Sequence, residues 1–162
     1  MTLEKIVVNM GNFAVAKHDY ELMCLGIGSC VVLVLIDGIN KVYGMAHIML
    51  GFNREKNVTS NPNRYAENCI PNMLSEMIRE GAYIPNLKAK LAGGAHMFAS
   101  LPKDRLSINT KNVDAVKTIL KNNRRPLLAE DVGGNHGRTI IFNTDTEEFK
   151  VLIRADGTEK LL

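Results

Sequence analysis

The sequence has few cysteines and no apolar stretch at its N-terminus. Its three cysteines, at positions 24, 30 and 69, are odd in number and show no paired spacing. This pattern fits free thiols in a reducing compartment better than a disulfide framework. The N-terminal region carries no apolar run of signal-peptide or membrane-spanning length, and the longest such run follows Cys30. We therefore expect a cytoplasmic protein that is not inserted in a membrane.

The chain also lacks a strong excess of one charge. Its 20 basic and 17 acidic side chains give a formal net charge of +3. The locally basic segment 121–125 has no interleaved aromatic residues, so an ordinary solvated helix end is favoured over nucleic-acid binding. The chain has 162 residues, 46% of them hydrophobic, and no repeats or low-complexity tracts. We expect a single domain spanning residues 1–162.

Two common site motifs are missing as well. The pair Gly26 and Gly28 is followed by Val31 where the dinucleotide fingerprint requires a third glycine, and the chain enters a strand there rather than a helix. This excludes a Rossmann site. The histidines and cysteines form no C-x-x-C or H-x-x-x-H pair, so we expect no metal site.

The apolar pattern that is present predicts strands and two helices. Strands are expected at 6–8, 13–16, 87–91, 126–129, 139–142 and 148–153. One helix should run over 61–80, with a kink or break at Pro71, and a second over 112–122. The expected core faces of the two helices are Ile70, Leu74, Met77 and Ile78, and Val113, Val116, Ile119 and Leu120. Because hairpins outnumber helical crossovers, we expect an α/β fold of the α+β type, layered, with a mainly antiparallel sheet or sandwich packed with two main helices.

The most informative segment is an apolar hairpin between residues 30 and 47. Asp37-Gly38 between two aliphatic runs is a strong hairpin signal. A two-residue loop at 38–39 and a four-residue loop at 37–40 both place Cys30 directly opposite His47. Directly opposed residues of an antiparallel pair have Cβ atoms about 4.5–5.5 Å apart, so we expect the thiol and the imidazole to touch.

A cysteine beside a histidine is the core of a cysteine-nucleophile enzyme. Protonated His47 would hold Cys30 as the reactive thiolate and could then give its proton to a leaving group. Gly26 and Gly28 permit a sharp turn and a close approach of substrate, and the backbone N–H groups near Gly28, Ser29 and Cys30 are candidates for an oxyanion hole. The same residues also fit a simpler interpretation, in which Cys30 is a small hydrophobe and His47 a core histidine.

Further glycines and polar residues are candidates for shaping a pocket. Gly93 and Gly94 are typical of a turn at a strand end, and they are also candidates for supporting a pocket around Cys30. Asn135 and Arg138 would either hydrogen-bond a substrate or fix their own loop. Both alternatives are open at this point.

Six segments occur in a recognisable order along the chain: 25–30, 45–50, 64–66, 92–98, 112–113 and 128–135. The most specific are Gly-x-Gly-Ser-Cys, ending at Cys30, and Ala-His, ending at His47. Together these segments resemble the chemoreceptor glutamine deamidase family, CheD, from about residue 11 to the final hairpin. The resemblance implies a layered fold resembling glutamine-deamidating toxins, with Cys30 and His47 as a catalytic pair and no cofactor.

The resemblance also implies a substrate and a partner. The family's substrates are glutamines, and to some extent glutamate methyl esters, on the cytoplasmic coiled-coil region of chemotaxis receptors. Deamidation would pass through a thioester on Cys30 with release of ammonia. The polar loop at 51–63 would either grip a receptor helix or only cover the surface. Family members also resemble partners of the CheC phosphatase, so a regulatory binding module for a CheC-type phosphatase is the alternative function.

One position departs from the family pattern. The family's third catalytic residue is a threonine six positions before the cysteine, and Cys24 stands at that position. A thiol is a poorer hydrogen-bond partner for an imidazole than a hydroxyl. We therefore expect a backbone carbonyl, rather than Cys24, to orient the second ring nitrogen of His47.

Overall fold

The computed structural model describes residues 2–97 and 103–162, which form two five-stranded sheets and two helices. The elements are β1 (Glu4–Val7), β2 (Asn12–Ala16), β3 (Tyr20–Ile27), β4 (Val31–Asp37), β5 (Val42–Ile48), α1 (Ala66–Arg79), β6 (Lys88–Gly93), α2 (Lys103–Asn122), β7 (Leu127–Val132), β8 (Arg138–Asn143), β9 (Phe149–Ile153) and β10 (Thr158–Leu161). The outer sheet has the order β1-β3-β8-β9-β10, and the middle sheet has the order β2-β5-β4-β6-β7. The expected layered α+β fold is confirmed.

Strand β4 of the middle sheet is buried on both faces. Val32, Val34 and Ile36 pack with the outer sheet, whereas the alternate residues Val31 and Leu33 pack with the two helices. A strand that is covered on both sides carries a continuous apolar run instead of an alternating one. The run after Cys30 is therefore the centre of a three-layer packing: helices, middle sheet and outer sheet.

Most strand neighbours in the described residues run antiparallel, as expected, but two pairs do not. Strand β1 pairs with β3 in parallel, and β6 pairs with β7 in parallel. The second pair is joined by α2, because parallel neighbours need a crossover connection. This crossover lays α2 across the middle sheet, close to the start of β4.

The first helix differs from the prediction in two ways. Its interruption lies at Tyr65, which is extended, between a short 3-10 turn at Pro62–Arg64 and α1. The break expected at Pro71 is wrong, since α1 runs through it. The buried face comprises Ala66, Cys69, Ile70, Met73 and Met77, whereas Ile78 is exposed. The strip that meets β5 is thus rotated from the one predicted.

Other elements extend beyond the predicted boundaries. Helix α2 begins at Lys103 rather than near Asn112, and it buries Val113, Val116 and Leu120 as expected. Strands β3 and β10 were not predicted. Within residues 2–97 and 103–162, no helix is long and apolar enough to cross a membrane.

Candidate active site

The pairing of β4 with β5 places Val32 opposite His47, so the predicted pairing of Cys30 with His47 is wrong by two residues. A two-residue shift keeps every side chain on its original face, because side chains alternate with a period of two. Cys30 and Val32 both pack against the core between the two sheets. Cys30 therefore lies diagonally from His47 on the same face, a relation in which Cα atoms are about 7–8 Å apart and longer side chains can still meet.

The turn of the hairpin causes this shift. Asp37 pairs with Val42, which leaves a four-residue loop at 38–41. The Asp37 carboxylate accepts hydrogen bonds from the backbone N–H groups of Ile39 and Asn40, at 3.1 and 3.0 Å. Lys41 closes the loop with a φ of 56°. The side chain of Asp37 thus selects a loop one residue later than either loop expected from the sequence.

His47 is held by a backbone carbonyl from the other sheet. Its side chain is directed between the sheets, the residue is 5% exposed, and Nδ1 lies 3.0 Å from the carbonyl oxygen of Val8, just after β1. A carbonyl only accepts hydrogen bonds, so Nδ1 carries the proton and Nε2 carries the free lone pair. Burial lowers the pKa of His47, and the bond to Val8 offsets this only in part. Burial thus favours the neutral imidazole, in contrast to the protonated His47 expected from the sequence.

Cys30 lies just before β4 and is partly exposed. Burial raises the pKa of its thiol, while its own backbone N–H, close to the sulfur, acts in the opposite direction. In the described residues no hydrogen bond joins its sulfur to His47. The resting pair is thus a neutral thiol and a neutral imidazole, and His47 Nε2 is available to take the thiol proton during attack.

Cys24 lies on β3 and is fully buried. Its thiol points at the sulfur of Met45, at 3.5 Å. Burial strongly raises the pKa of Cys24, and a thiolate at nearby Cys30 would raise it further. The thiol therefore packs as a neutral group, and the carbonyl of Val8 occupies the orienting position at His47 that the sequence assigned to a backbone acceptor.

The loop from Gly28 to Cys30 is held through its carbonyl groups. The carbonyl of Gly28 accepts from the N–H of Ala95 at 2.9 Å, and that of Cys30 accepts from the N–H of Gly94 at 2.8 Å. Gly93 has a φ of +112°, and a Cβ there would collide with the Cys30 carbonyl. Gly93 is thus required by the close approach of two backbone segments, whereas a Cβ at Gly94 would collide with the side chain of Val113 on α2.

The loop after β7 packs beside this segment. His96 N–H donates to the carbonyl of Gly134 at 2.7 Å. Arg138 is buried and donates to the carbonyl of Gly133 at 2.9 Å and to Asp131 at 3.1 Å. Arg138 therefore fixes the loop. Asn135 is exposed, and no hydrogen bond of its side chain occurs among the described residues.

The polar loop at 51–63 forms one wall of a cleft of about 650 Å³, whose other wall is α2. Asn53 N–H donates to Glu67 on α1 at 2.6 Å, and Asn61 donates to the carbonyl of Gly11 at 2.9 Å. Both ends of the loop are thus tied to the body of the protein.

A family model described as CheD chemotactic sensory transduction matches residues 49–154. The chain belongs to the CheD family. The probable chemoreceptor glutamine deamidase CheD of Clostridium botulinum strain Hall is 38% identical over 99% of this chain and 100% of its own length. The corresponding protein of Clostridium novyi strain NT is 39% identical over 97% of this chain and 96% of its own. The family model begins after His47, whereas the matches to both relatives cover nearly the whole chain.

Among the described residues of this CheD family member, one buried polar residue beside Ser29 lies in the family-like segment 112–113 but had no role predicted from the sequence. Asn112 on α2 is 1% exposed, and its side-chain amide donates to the carbonyl of Ser29 at 3.1 Å and to that of Met49 at 2.9 Å. It joins the segment before β4 to the segment after β5. Its sequence signal is spacing: Asn112 lies four residues before Val116 and eight before Leu120, in phase with the buried face of α2.

Proposed function

We propose that this protein deamidates glutamine side chains of chemotaxis receptors, with Cys30 as nucleophile and His47 as base. The observation that carries the proposal is a partly exposed Cys30 on the same face as a neutral His47, whose free lone pair is on Nε2. The substrate class is supported by family membership and by relatives that are named probable chemoreceptor glutamine deamidases.

The first half-reaction forms a thioester. The Cys30 sulfur attacks the carboxamide carbon of glutamine while His47 Nε2 takes the thiol proton. The carbonyl oxygen becomes an oxyanion beside the backbone N–H groups of Ser29 and Cys30. When the C–N bond breaks, His47 returns the proton to the nitrogen and ammonia leaves.

The second half-reaction restores the thiol. Water gives a proton to His47 Nε2 and attacks the thioester carbon, the C–S bond breaks, and the proton passes back to the sulfur. The product is glutamate, so the receptor helix gains one negative charge for each water consumed. A glutamate methyl ester would react through the same thioester with methanol as the leaving group.

Two exposed apolar side chains flank the nucleophile segment and suit a helical protein substrate. Leu25 is 50% exposed beside Gly26, and Met97 is 43% exposed with its side chain packed over Gly28. Glutamines of a coiled-coil receptor lie next to apolar seam positions, which Leu25 and Met97 would contact. Such contacts would hold a glutamine near Cys30 without a deep pocket.

The direct test is mass spectrometry of receptor cytoplasmic fragments incubated with the protein. Deamidation adds about 1 Da at a glutamine, and we expect this shift with the wild-type protein and none with Cys30→Ala. Circular dichroism of both proteins controls for folding. Unchanged ammonia release by folded Cys30→Ala would contradict the assignment of the nucleophile.

Alkylation provides a test that needs no receptor. Iodoacetamide should label Cys30 well before Cys69, because Cys69 is fully buried on α1 and burial raises its pKa to about 12. Peptide mapping after brief labelling distinguishes the two thiols. Equal labelling of Cys30 and Cys69 would contradict a reactive thiol at Cys30.

A CheC-type phosphatase as partner, or as the main role of this chain, stays a prediction from the family resemblance. Cys30→Ala removes little surface, so we expect it to bind such a phosphatase as the wild type does. Titration calorimetry at tens of micromolar detects affinities of about −8 kcal/mol. No heat with the wild-type protein would count against this partner.

A further inference from the structure

The backbone N–H groups of Ser29 and Cys30 have no partner in any other described residue, although the carbonyls of the same segment are all engaged. No hydrogen bond within residues 2–97 and 103–162 uses either N–H as a donor to another residue. By contrast, the carbonyls of Gly28, Ser29 and Cys30 accept from Ala95, Asn112 and Gly94, respectively. Among the described residues, the segment is therefore held through its carbonyls and not through these two N–H groups.

Because the peptide bond is planar, a held carbonyl also fixes the direction of the N–H in the same peptide. The C=O and N–H of one trans peptide point in opposite directions. When Asn112 holds the carbonyl of Ser29, it also holds the N–H of Cys30 on the opposite side of that peptide. The same N–H lies close to the Cys30 sulfur, which is the atom that would attack a carbonyl carbon.

A second asparagine, one turn earlier on α2, is connected to the N–H of Ser29 through one additional peptide. Asn109 donates from its side-chain amide to the carbonyl of Gly94 at 3.0 Å. The N–H of that same peptide belongs to Ala95 and donates to the carbonyl of Gly28. The peptide that follows Gly28 carries the N–H of Ser29. Aligned hydrogen bonds of this kind also polarise one another.

We propose that Asn112 and Asn109 are positioning residues that aim the N–H groups of Cys30 and Ser29 at the oxyanion of the acyl-transfer reaction. The inference deepens the proposed function and rests on Cys30 being its nucleophile. Asn112 acts directly on the Ser29–Cys30 peptide, and Asn109 acts through Ala95. Asn112 also holds the carbonyl of Met49, so one amide sets the spacing between the nucleophile segment and the strand that carries His47.

Two reactions of the same thiol separate this role from general support of the fold. p-Nitrophenyl acetate acylates Cys30 through a tetrahedral oxyanion: a C–S bond forms, the C–O bond to p-nitrophenolate breaks, and the thiol proton passes to His47. Iodoacetamide alkylates the sulfur by direct displacement of iodide and forms no oxyanion. A residue that orients the oxyanion donors should affect only the first reaction.

The experiment compares both rates in wild type and Asn112→Leu, with Asn112→Ser as a second variant in case the leucine does not fold. Loss of one oxyanion donor costs about 100–1,000-fold, so loss of its alignment should slow acylation by about tenfold or more, with alkylation changed less than about threefold. Asn109→Leu should have a smaller effect of the same kind. Asn123→Ala, which removes an exposed amide-to-carbonyl bond at the far end of α2, is the matched control and should change neither rate.

On the receptor fragment, the Asn112 variants should lower kcat with little change in KM. A parallel fall in acylation and alkylation would assign Asn112 a purely structural role and overturn the proposal, as would an unchanged acylation rate in either folded variant. Absence of Cys30-dependent acylation in the wild type would overturn the oxyanion site itself. If acylation responds as expected but no receptor glutamine is converted, the proposed substrate is wrong and the inference about Asn112 stands.

Discussion

The two ends of the β4–β5 hairpin differ in how their hydrogen-bonding groups are satisfied. At the turn, the buried carboxylate of Asp37 accepts five hydrogen bonds. The donors are the backbone N–H groups of Ile39, Asn40 and Tyr83 and the side-chain amides of Asn40 and Asn86. At the opposite end, the N–H groups of Ser29 and Cys30 have no partner in any other described residue. One end holds a negative charge among donors, and the other holds donors without a charge.

The ionisable groups at the two ends follow the same division. Burial alone would raise the pKa of Asp37, but its donors hold that pKa below the ordinary value, so the group is charged. Burial instead raises the pKa of Cys30 and lowers that of His47, so both are neutral. A permanent charge whose hydrogen-bond donors are all in place stabilises the turn. Donors without a partner beside neutral groups are instead suited to a charge that forms only during a reaction.

Removing the charge at the turn should have the largest effect on stability. Asp37→Ala leaves several buried donors without an acceptor, and we expect the free energy of unfolding to fall by about 3–5 kcal/mol. Urea unfolding measures this change. Because the folded pKa of Asp37 is below its unfolded value of about 3.9, its contribution is complete above that pH and is lost as the pH falls through the folded pKa. The gap between wild type and variant should therefore shrink in acid; a gap independent of pH would contradict the role of the carboxylate.

The pH dependence of acylation tests the other end. In the proposed reaction His47 acts as a neutral base, and its burial lowers its pKa below the ordinary value of about 6.5. The rate of Cys30 acylation should be nearly constant around pH 7 and fall by about tenfold per unit below the His47 pKa, with a midpoint under about 6.5. Initial rates with p-nitrophenyl acetate give this profile. A midpoint above 7 would indicate that acylation depends on direct deprotonation of the thiol rather than on His47 as a neutral base, and would remove the contrast between the two ends.

Cys24 should give the smallest effect, because its thiol contacts Met45 rather than the imidazole. We expect Cys24→Ala to change turnover by less than about tenfold, which corresponds to about 1.4 kcal/mol in the barrier. Ammonia release under reducing conditions gives the comparison, with Cys69→Ala as a control for loss of a buried thiol. A hundredfold loss of turnover specific to Cys24→Ala would contradict this expectation and show that the thiol contributes to the reaction.

The sequence predicted the hairpin and the shared face of Cys30 and His47, but not their register. Alternation with a period of two assigns faces reliably, whereas register depends on the loop, and here the loop depends on the contacts of Asp37 with Ile39 and Asn40. A tertiary contact also holds the Asp37 carboxylate, since the backbone N–H of Tyr83 donates to it from a distant segment. Apolar patterning alone contains no such information.

The protonation state of His47 was also beyond the sequence. Its neutrality depends on burial between two sheets and on the carbonyl of Val8, a group that every residue type possesses and no motif records. Asn112 was accessible in principle, because a polar residue in phase with Val116 and Leu120 is unusual. Its role required the crossover of α2, which places that face of the helix against Ser29 and Met49.

The bond from His47 to Val8 crosses from the middle sheet to the outer sheet. Val8 is itself anchored to the outer sheet, because its N–H donates to the carbonyl of Met23 on β3 at 2.7 Å. Any loosening of the packing between the sheets would therefore free the imidazole ring before either sheet loses its own strands. The rate of Cys30 acylation should then depend on the contact between the two sheets. In rising urea, this rate should decline before the far-ultraviolet circular dichroism signal does.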